Sequence, residues 1–266
     1  MPSLLSTASV VTALRAAGCV FAEDEAELIL TTARTPDEAA AMVDRRVAGL
    51  PLELVLGWAE FAGLRITVEP GVFVPRRRTE FLVGQAVAAV PEASVVVDLC
   101  CGSGAVGAAL AASLGDESGE VELHAADIDP AAVRCVRRNL VPYGGHAYEG
   151  DLYAALPADL RGRVDILAAN VPYVPTGEVG FLPVEAREHE PLVALDGGAD
   201  GLDVLRRVAG GAPAWLAPGG CLLIEASERQ VPAALDAFRG AGLMAWTAVS
   251  EEMYAHVVIG RRPVHG

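Results

Sequence analysis

The sequence predicts an α/β fold: an open sheet of buried parallel strands layered with helices, preceded by a small helical domain. Three observations predict it. From residue 95 onward, short apolar runs of strand length alternate with stretches of helical character, the pattern of repeated strand–helix units. The run Val95-Val96-Val97-Asp98-Leu99 passes into Cys100-Cys101-Gly102-Ser103-Gly104-Ala105-Val106-Gly107 and then an alanine-rich helix, so strand, glycine turn and helix follow as in a nucleotide-binding unit. The run Asp165-Ile166-Leu167-Ala168-Ala169 ends abruptly in Asn170-Val171-Pro172-Tyr173-Val174-Pro175. Ligands of open α/β sheets bind beyond the carboxyl ends of the strands, so chemistry is expected at this ending.

Composition sets the outer bounds. With 266 residues and 52% hydrophobic content, the chain can bury a sizeable core in one large domain or two smaller ones. It holds no low-complexity segment and no internal repeat. The N-terminus lacks a basic region followed by a long apolar core, and no apolar run reaches spanning length. A soluble, cytoplasmic protein without a membrane partner is therefore expected, and a monomer. The net charge of −15 repels a phosphate backbone and speaks against general nucleic-acid binding. Local basic clusters such as Arg76-Arg77-Arg78 and Arg206-Arg207 read as solvated faces or helix ends. The five cysteines lack paired metal-ligand spacing and read as small buried apolar residues, with a redox role for adjacent Cys100 and Cys101 as the alternative. Glu188-His189-Glu190 invites a metal reading, but no further ligands stand at matching spacing, so no metal is expected.

Taken in order, residues 1–51 form the helical domain. Leu4, Leu5, Val10, Val11 and Leu14 keep helical spacing up to Gly18, and a second helix fits residues 23–33. A third starts after Thr35 as a cap, with Pro36 in its first turn, and ends at Gly49. A substrate-docking or packing role suits this region. Residues 52–75 read as a β-hairpin linker: 61–68 alternates like one strand, Glu69-Pro70-Gly71 signals the turn, and Val72-Phe73-Val74 follows. Residues 76–266 hold the sheet domain, opened by a helix running to about Ala89. Its strands are expected at 95–99, 121–126, 146–150, 165–169, 221–226, 243–249 and 256–260, with helices over 201–210 and 230–239. A long loop from the Asn170 stretch to Gly198 lines the substrate cleft.

The strand ends carry the chemistry. Glycines at 102 and 104 let the backbone approach a ligand at a helix N-terminus. Asp98 would repel a pyrophosphate but attract the ammonium of a methionine moiety. Asp127, ending the second strand, is placed for ribose hydroxyls of either a nicotinamide or an S-adenosyl cofactor, while Asp129 before Pro130 reads as a helix cap. Asp151 either accepts from an adenine amino group, with Leu152 against the ring, or caps a helix. Pro172 holds Val171 extended, and Pro175 stiffens the next turn. Asn170 then offers a side-chain carbonyl, Val171 a main-chain carbonyl and Tyr173 a flat face, an arrangement suited to a planar NH2 group.

With these motifs in place, the chain resembles the release-factor glutamine methyltransferases. Phe73-Val74-Pro75-Arg76-Arg77-Arg78-Thr79-Glu80 looks like the family's IPRPxTE segment, and Asp98-Leu99-Cys100-Cys101-Gly102-Ser103-Gly104 like its DLGTGSG. Asn170-Val171-Pro172-Tyr173 stands where the family has NPPY, and Glu190-Pro191 with 194–202 looks like its "EP…AL.GG.DGL" block. Val171 replaces the first proline of NPPY, and Arg77-Arg78 replaces a proline and a variable residue. The resemblance covers nearly the whole chain. It implies a seven-stranded, Rossmann-like class I S-adenosylmethionine-dependent methyltransferase sheet, with a protein substrate that is a peptide-chain release factor. It places Asn170, Val171, Pro172 and Tyr173 at the catalytic centre. Around S-adenosyl-L-methionine it places Arg76, Thr79, Asp98, Cys100, Gly102, Gly104, Asp127, Ile128, Asp151, Leu152 and Asn170.

An amide nitrogen is a poor nucleophile because its lone pair is delocalised. Accepting both of its N–H bonds at Asn170 and Val171 would aim it at a sulfonium methyl, so catalysis is orientation and electrostatics. Three alternatives stay open: an adenine or cytosine amino methyltransferase acting on DNA or RNA, a nicotinamide-dependent oxidoreductase, and a non-catalytic S-adenosyl-binding module.

Overall fold

A computed structural model describes residues 6–118 and 121–264. Leu4 and Leu5, expected to open the first helix, lie outside the described residues. Helix α1 (Thr7–Ala16) starts at Ser6, whose side chain accepts from the Ser9 amide. Helices α2 (Ala22–Thr32) and α3 (Pro36–Val47) follow, α3 capped by Thr35 with Pro36 in its first turn as expected. Residues 52–56, expected within a hairpin linker, instead form a short helix, α4 (Leu52–Leu56). Val10, Leu14, Ile29, Met42, Val43, Val55 and Leu56 from these four helices form one apolar cluster. Arg46 crosses this layer. Its guanidinium takes both oxygens of buried Glu25, at 2.6 and 3.1 Å, and reaches Glu185 Oε1 at 3.1 Å.

A hairpin does follow, β1 (Trp58–Phe61) with β2 (Leu64–Thr67), but its turn is Ala62-Gly63 and not Glu69-Pro70-Gly71. Both turn residues have positive φ, 49° and 75°, as tight hairpin turns require. The missed signal is parity: Ala59 and Phe61 are buried on one arm, Ile66 and Val68 on the other. Inward positions therefore switch from odd to even across the turn, which a single strand would not do. Val72-Phe73-Val74 belongs to no strand and runs as connecting chain to a short 3₁₀ turn, Arg77–Thr79, and α5 (Glu80–Ala89).

Among the described residues, seven strands form the main sheet: β3 (Val95–Leu99), β4 (Glu122–Asp127), β5 (His146–Glu149), β6 (Val164–Ala169), β7 (Leu216–Ala226), β8 (Met244–Ser250) and β9 (Ala255–Arg261). Their order is β5-β4-β3-β6-β7-β9-β8. The first five are parallel, and β9 runs antiparallel to both β7 and β8. Alternate residues on β3 feed opposite cores. Val96 packs with Leu82 of α5, Leu110 of α6 (Ala105–Ser118) and Val136 of α7 (Pro130–Leu140), whereas Val97 packs with Leu205 and Val208 of α9 (Asp203–Gly211) and Phe238 of α10 (Val231–Gly240). Both faces are thus covered, which is why the central strands read as unbroken apolar runs. The expected long loop carries helical turns of its own, including α8 (Val184–His189). No described helix is long and apolar enough to cross a membrane.

The strand order reverses direction between β3 and β6, so a crevice opens beyond their carboxyl ends.

Candidate active site

A cavity of about 1140 Å³ occupies that crevice. Its wall includes every site residue expected from the sequence except Gly104. A Cβ at Gly104 would run into the Val136 side chain, so this glycine serves the packing of α6 on α7. Gly102 does face the cavity, and its φ of 53°, like that of Cys100, is left-handed. For a non-glycine residue that conformation is uncommon and marks a site where the surroundings dictate the backbone. Leu152, also on the cavity wall, has φ 49°.

Two carboxylates line one end. Asp98 is 1% exposed, and its Oδ2 accepts from the Gly107 amide at 2.9 Å. A Cβ on Gly107 would sit 3.2 Å from that oxygen, a tight contact that the glycine avoids. Burial pushes the Asp98 carboxyl up to about 7, against the Gly107 hydrogen bond and aided by the charge of Asp127. Asp127 accepts from the Gly102 amide at 2.8 Å and the Asp129 amide at 2.9 Å, and burial raises it too. Asp129 caps α7 by accepting from Ala131, as its sequence context predicts. Asp151 caps no helix with its side chain, which pairs with Arg207 at 2.6 Å on the rim. Ile128 is half-exposed at the same mouth. The Cys100 and Cys101 thiols are pushed up by burial and by neighbouring carboxylates. Thiols held protonated this way are poor nucleophiles.

The other end is built around β6. Asn170 follows its last residue, and the Asn170 Oδ1 is buried with no hydrogen-bond partner among the described residues. A buried acceptor left without a donor is costly, and such atoms are where a ligand is expected to bind. Val171 is 1% exposed, and Pro172 and Tyr173 complete this wall. The Tyr173 hydroxyl is bonded by Arg78 and donates to Glu225 Oε1 at 3.4 Å, and its phenol is pushed up to about 12 by burial and by Glu225. Thr79, also in the expected set, donates its hydroxyl to Glu225 Oε2 at 2.7 Å. Arg76 pairs with Glu190, whose Oε2 is buried without a hydrogen-bond partner among the described residues. Glu188 is exposed, and no cluster of three potential metal ligands exists among the described residues.

Behind the loop stands the segment that follows the cleft-lining helices. Val174 donates to the Leu195 carbonyl at 3.0 Å, and Gly197 donates to the Val174 carbonyl at 2.9 Å. A Cβ at Gly197 would lie 2.6 Å from the Pro172 carbonyl oxygen, and one at Gly201 would lie 2.5 Å from Gln230 Nε2. Gln230 donates to the carbonyls of Tyr173 at 2.9 Å and Asp200 at 3.0 Å. Sequence reasoning missed Arg78, Glu225 and Gln230. For Glu225 a signal existed: an acid near the end of the apolar run Cys221-Leu222-Leu223-Ile224, the same signature that singled out Asp98.

Comparison with known proteins gives the family to which the chain belongs. Residues 63–181 match the "Methyltransferase small domain" family. A release factor glutamine methyltransferase from Geobacter sulfurreducens is 37% identical over 85% of this chain and 79% of its own length. One from Streptomyces coelicolor is 41% identical over 71% and 67%. The chain belongs to the release factor glutamine methyltransferase family. That family relationship extends to a 4-amino-L-phenylalanine/4-methylamino-L-phenylalanine methyltransferase from Streptomyces pristinaespiralis, 36% identical over 75% of this chain and 69% of that one. Among solved structures, a methyltransferase from Pyrococcus furiosus shares the fold with a TM-score of 0.53 at 14% identity, covering 76% of this chain and 90% of that one. The class I methyltransferase sheet is thus the fold, the protein is a methyltransferase, and S-adenosylmethionine is its cofactor.

Proposed function

We propose that the chain methylates the side-chain amide nitrogen of a glutamine in a peptide-chain release factor. The observation that carries this is the Asn170 side-chain oxygen, buried at the end of β6 in the shared cavity and lacking a donor among the described residues. The names of the relatives supply the substrate class.

The residues present fit the cofactor. Asp98 presents a carboxylate to an ammonium, Asp127 offers acceptors to ribose hydroxyls, and Asp151 with Leu152 flanks the place of an adenine. Arg76 and Thr79 close the cavity wall on the side of Glu190 and Glu225. When bound, S-adenosylmethionine supplies an electrophilic methyl group on a sulfonium. Asn170 Oδ1 and the Val171 carbonyl accept the two amide N–H bonds, holding the nitrogen in one orientation with its lone pair free of them. Pro172 and Tyr173 wall the planar group. Orientation of this kind replaces acid–base chemistry as the source of rate. Residues 1–51 are read as a docking domain beside the catalytic unit of residues 76–266, with Arg46 tying it to Glu185 at the cavity wall.

The experiment is transfer from isotopically labelled S-adenosylmethionine to a purified bacterial release factor, with mass spectrometry of the peptide carrying its Gly-Gly-Gln motif. Methyl on that glutamine is expected. Label on no glutamine, with cofactor bound, overturns the reading. The Streptomyces pristinaespiralis relative favours a second reading, a free aromatic amine as acceptor, because its NH2 is also planar and conjugated. 4-Amino-L-phenylalanine in the same assay separates the two.

A further inference from the structure

We propose that Arg78 and Glu225 are positioning residues that clamp the acceptor loop through Tyr173, a role that rests on the acceptor reading above. Glu225 stands near the carboxyl end of β7, the strand beside β6, between apolar Ile224 and Ala226. Its side chain is only 5% exposed. A carboxylate so placed is retained only if it is paired and hydrogen-bonded. Among the described residues, its side-chain partners all belong to the cavity wall: Arg78 Nε at 2.8 Å and the Tyr173 hydroxyl at 3.4 Å on Oε1, and the Thr79 hydroxyl at 2.7 Å on Oε2.

Arg78 uses its fork to bridge two groups. One arm meets Glu225, another meets the Tyr173 hydroxyl, and the guanidinium carbon lies 5.8 Å from the Tyr173 ring centroid. A lysine, with a single point of charge, cannot span both partners in that plane. Gln230 holds the other side of the same residue by its carbonyl. Tyr173 is thus fixed at its hydroxyl and at its main chain, and with it the turn that presents Asn170 and Val171.

The outer clamp complements a backbone that Pro172 restricts but that no ring locks at residue 171 itself, whose side chain is buried. A valine leaves φ unlocked where a proline would fix it, and the Val171 amide donates no hydrogen bond among the described residues. Side chains from β7 and from the turn before α5 take over the work of a rigid backbone.

The test combines hydrogen exchange with kinetics on the full chain. In Arg78→Met and Glu225→Gln, the Tyr173 and Val174 amides should exchange faster than in the wild type. kcat should fall about tenfold for a misplaced acceptor, with the KM for S-adenosylmethionine within about twofold. Arg78→Lys keeps the charge facing Glu225 without the fork and should show the same kcat loss at unchanged melting temperature, which separates positioning from folding. Val171→Pro should raise kcat severalfold more in the Arg78→Met background than in the wild type. Unchanged exchange at 173–174 overturns the proposal, as does a parallel loss of kcat and cofactor affinity. An equal effect of Val171→Pro in both backgrounds overturns it too. If the wild type methylates no glutamine, the acceptor reading fails, and exchange alone decides the clamp.

Discussion

At one end of the cavity the carboxylates of Asp98 and Asp127 are held by main-chain amides. At the other, the Asn170 loop is held largely by side chains from distant segments. Asp98 and its Gly107 partner are nine residues apart, and Asp127 and Gly102 are 25 apart. Tyr173 meets Glu225 across 52 residues, Gln230 across 57 and Arg78 across 95. The first design is local and rigid because a strand, a turn and a helix N-terminus fix it together. The second depends on tertiary packing, so it can be retuned by single substitutions far from the reacting atoms.

The comparison breaks most sharply at Asn170. Asn170→Ala removes the unpartnered acceptor, and transfer should drop on the order of a thousandfold, the upper range for loss of one preorganised polar group in an active site. If Asp98 and Asp127 carry most of the cofactor affinity, it should stay within about threefold in a direct binding titration. A parallel loss of affinity would mean that the two ends are not separable. Next in size is Gly201→Ala. Its φ of 78° and the Tyr173 carbonyl group, which a Cβ there would overlap, leave no room for a methyl group. A loss of about 2–3 kcal/mol in denaturant unfolding is expected, with slower transfer.

The difference between the ends also explains what could be read from the sequence. Strand, glycine turn and helix at 95–118, the carboxylate of Asp127 at the end of β4 and the Asp129 cap follow from neighbours in the chain and were legible. So was the Asn170 loop as a feature. Its support was not, because no periodicity or turn rule links Arg78 to Glu225. The block around Gly197 and Gly201 stood out only through the family resemblance. Its physical reason, close approach to the Pro172 and Tyr173 carbonyls, needs coordinates. The hairpin turn was misplaced for a smaller cause: Glu69-Pro70-Gly71 is a louder turn signal than Ala62-Gly63, although parity pointed to the latter.

Protons sharpen the cofactor end. In the cofactor-free fold Asp98 keeps its proton up to about pH 7, against 3.8 for an ordinary aspartate. The stability this group contributes is fully present below pH 3.8, declines as pH rises and is gone above about 7. An ammonium prefers the carboxylate, so S-adenosylmethionine affinity should rise with pH by up to about tenfold per unit below 7 and flatten above it. Asp98→Asn should bind weakly with no such slope, and at pH 8 should melt higher than the cofactor-free wild type. Calorimetric titrations across pH 6–8 with both proteins check the sign.

The smallest effect concerns Arg207, whose pair with Asp151 is about half exposed on both sides. Such pairs contribute on the order of 0.5 kcal/mol, so Arg207→Ala should barely move the unfolding midpoint. Its consequence for binding has a definite direction. Asp151 gives one carboxylate oxygen to Arg207 at 2.6 Å, and an adenine amino group would compete for the same carboxylate. If Asp151 accepts from adenine, releasing it should tighten S-adenosylmethionine by up to about threefold, a gain limited by solvent screening at the rim. Asp151→Asn, which weakens the acceptor and dissolves the pair, should weaken binding by a similar factor. A tightening in both variants would instead assign Asp151 to the surface alone and leave adenine recognition to Leu152 and Ile128. That result would remove one carboxylate from the cofactor end while leaving Asp98 and Asp127, the two held by backbone amides, as its polar core.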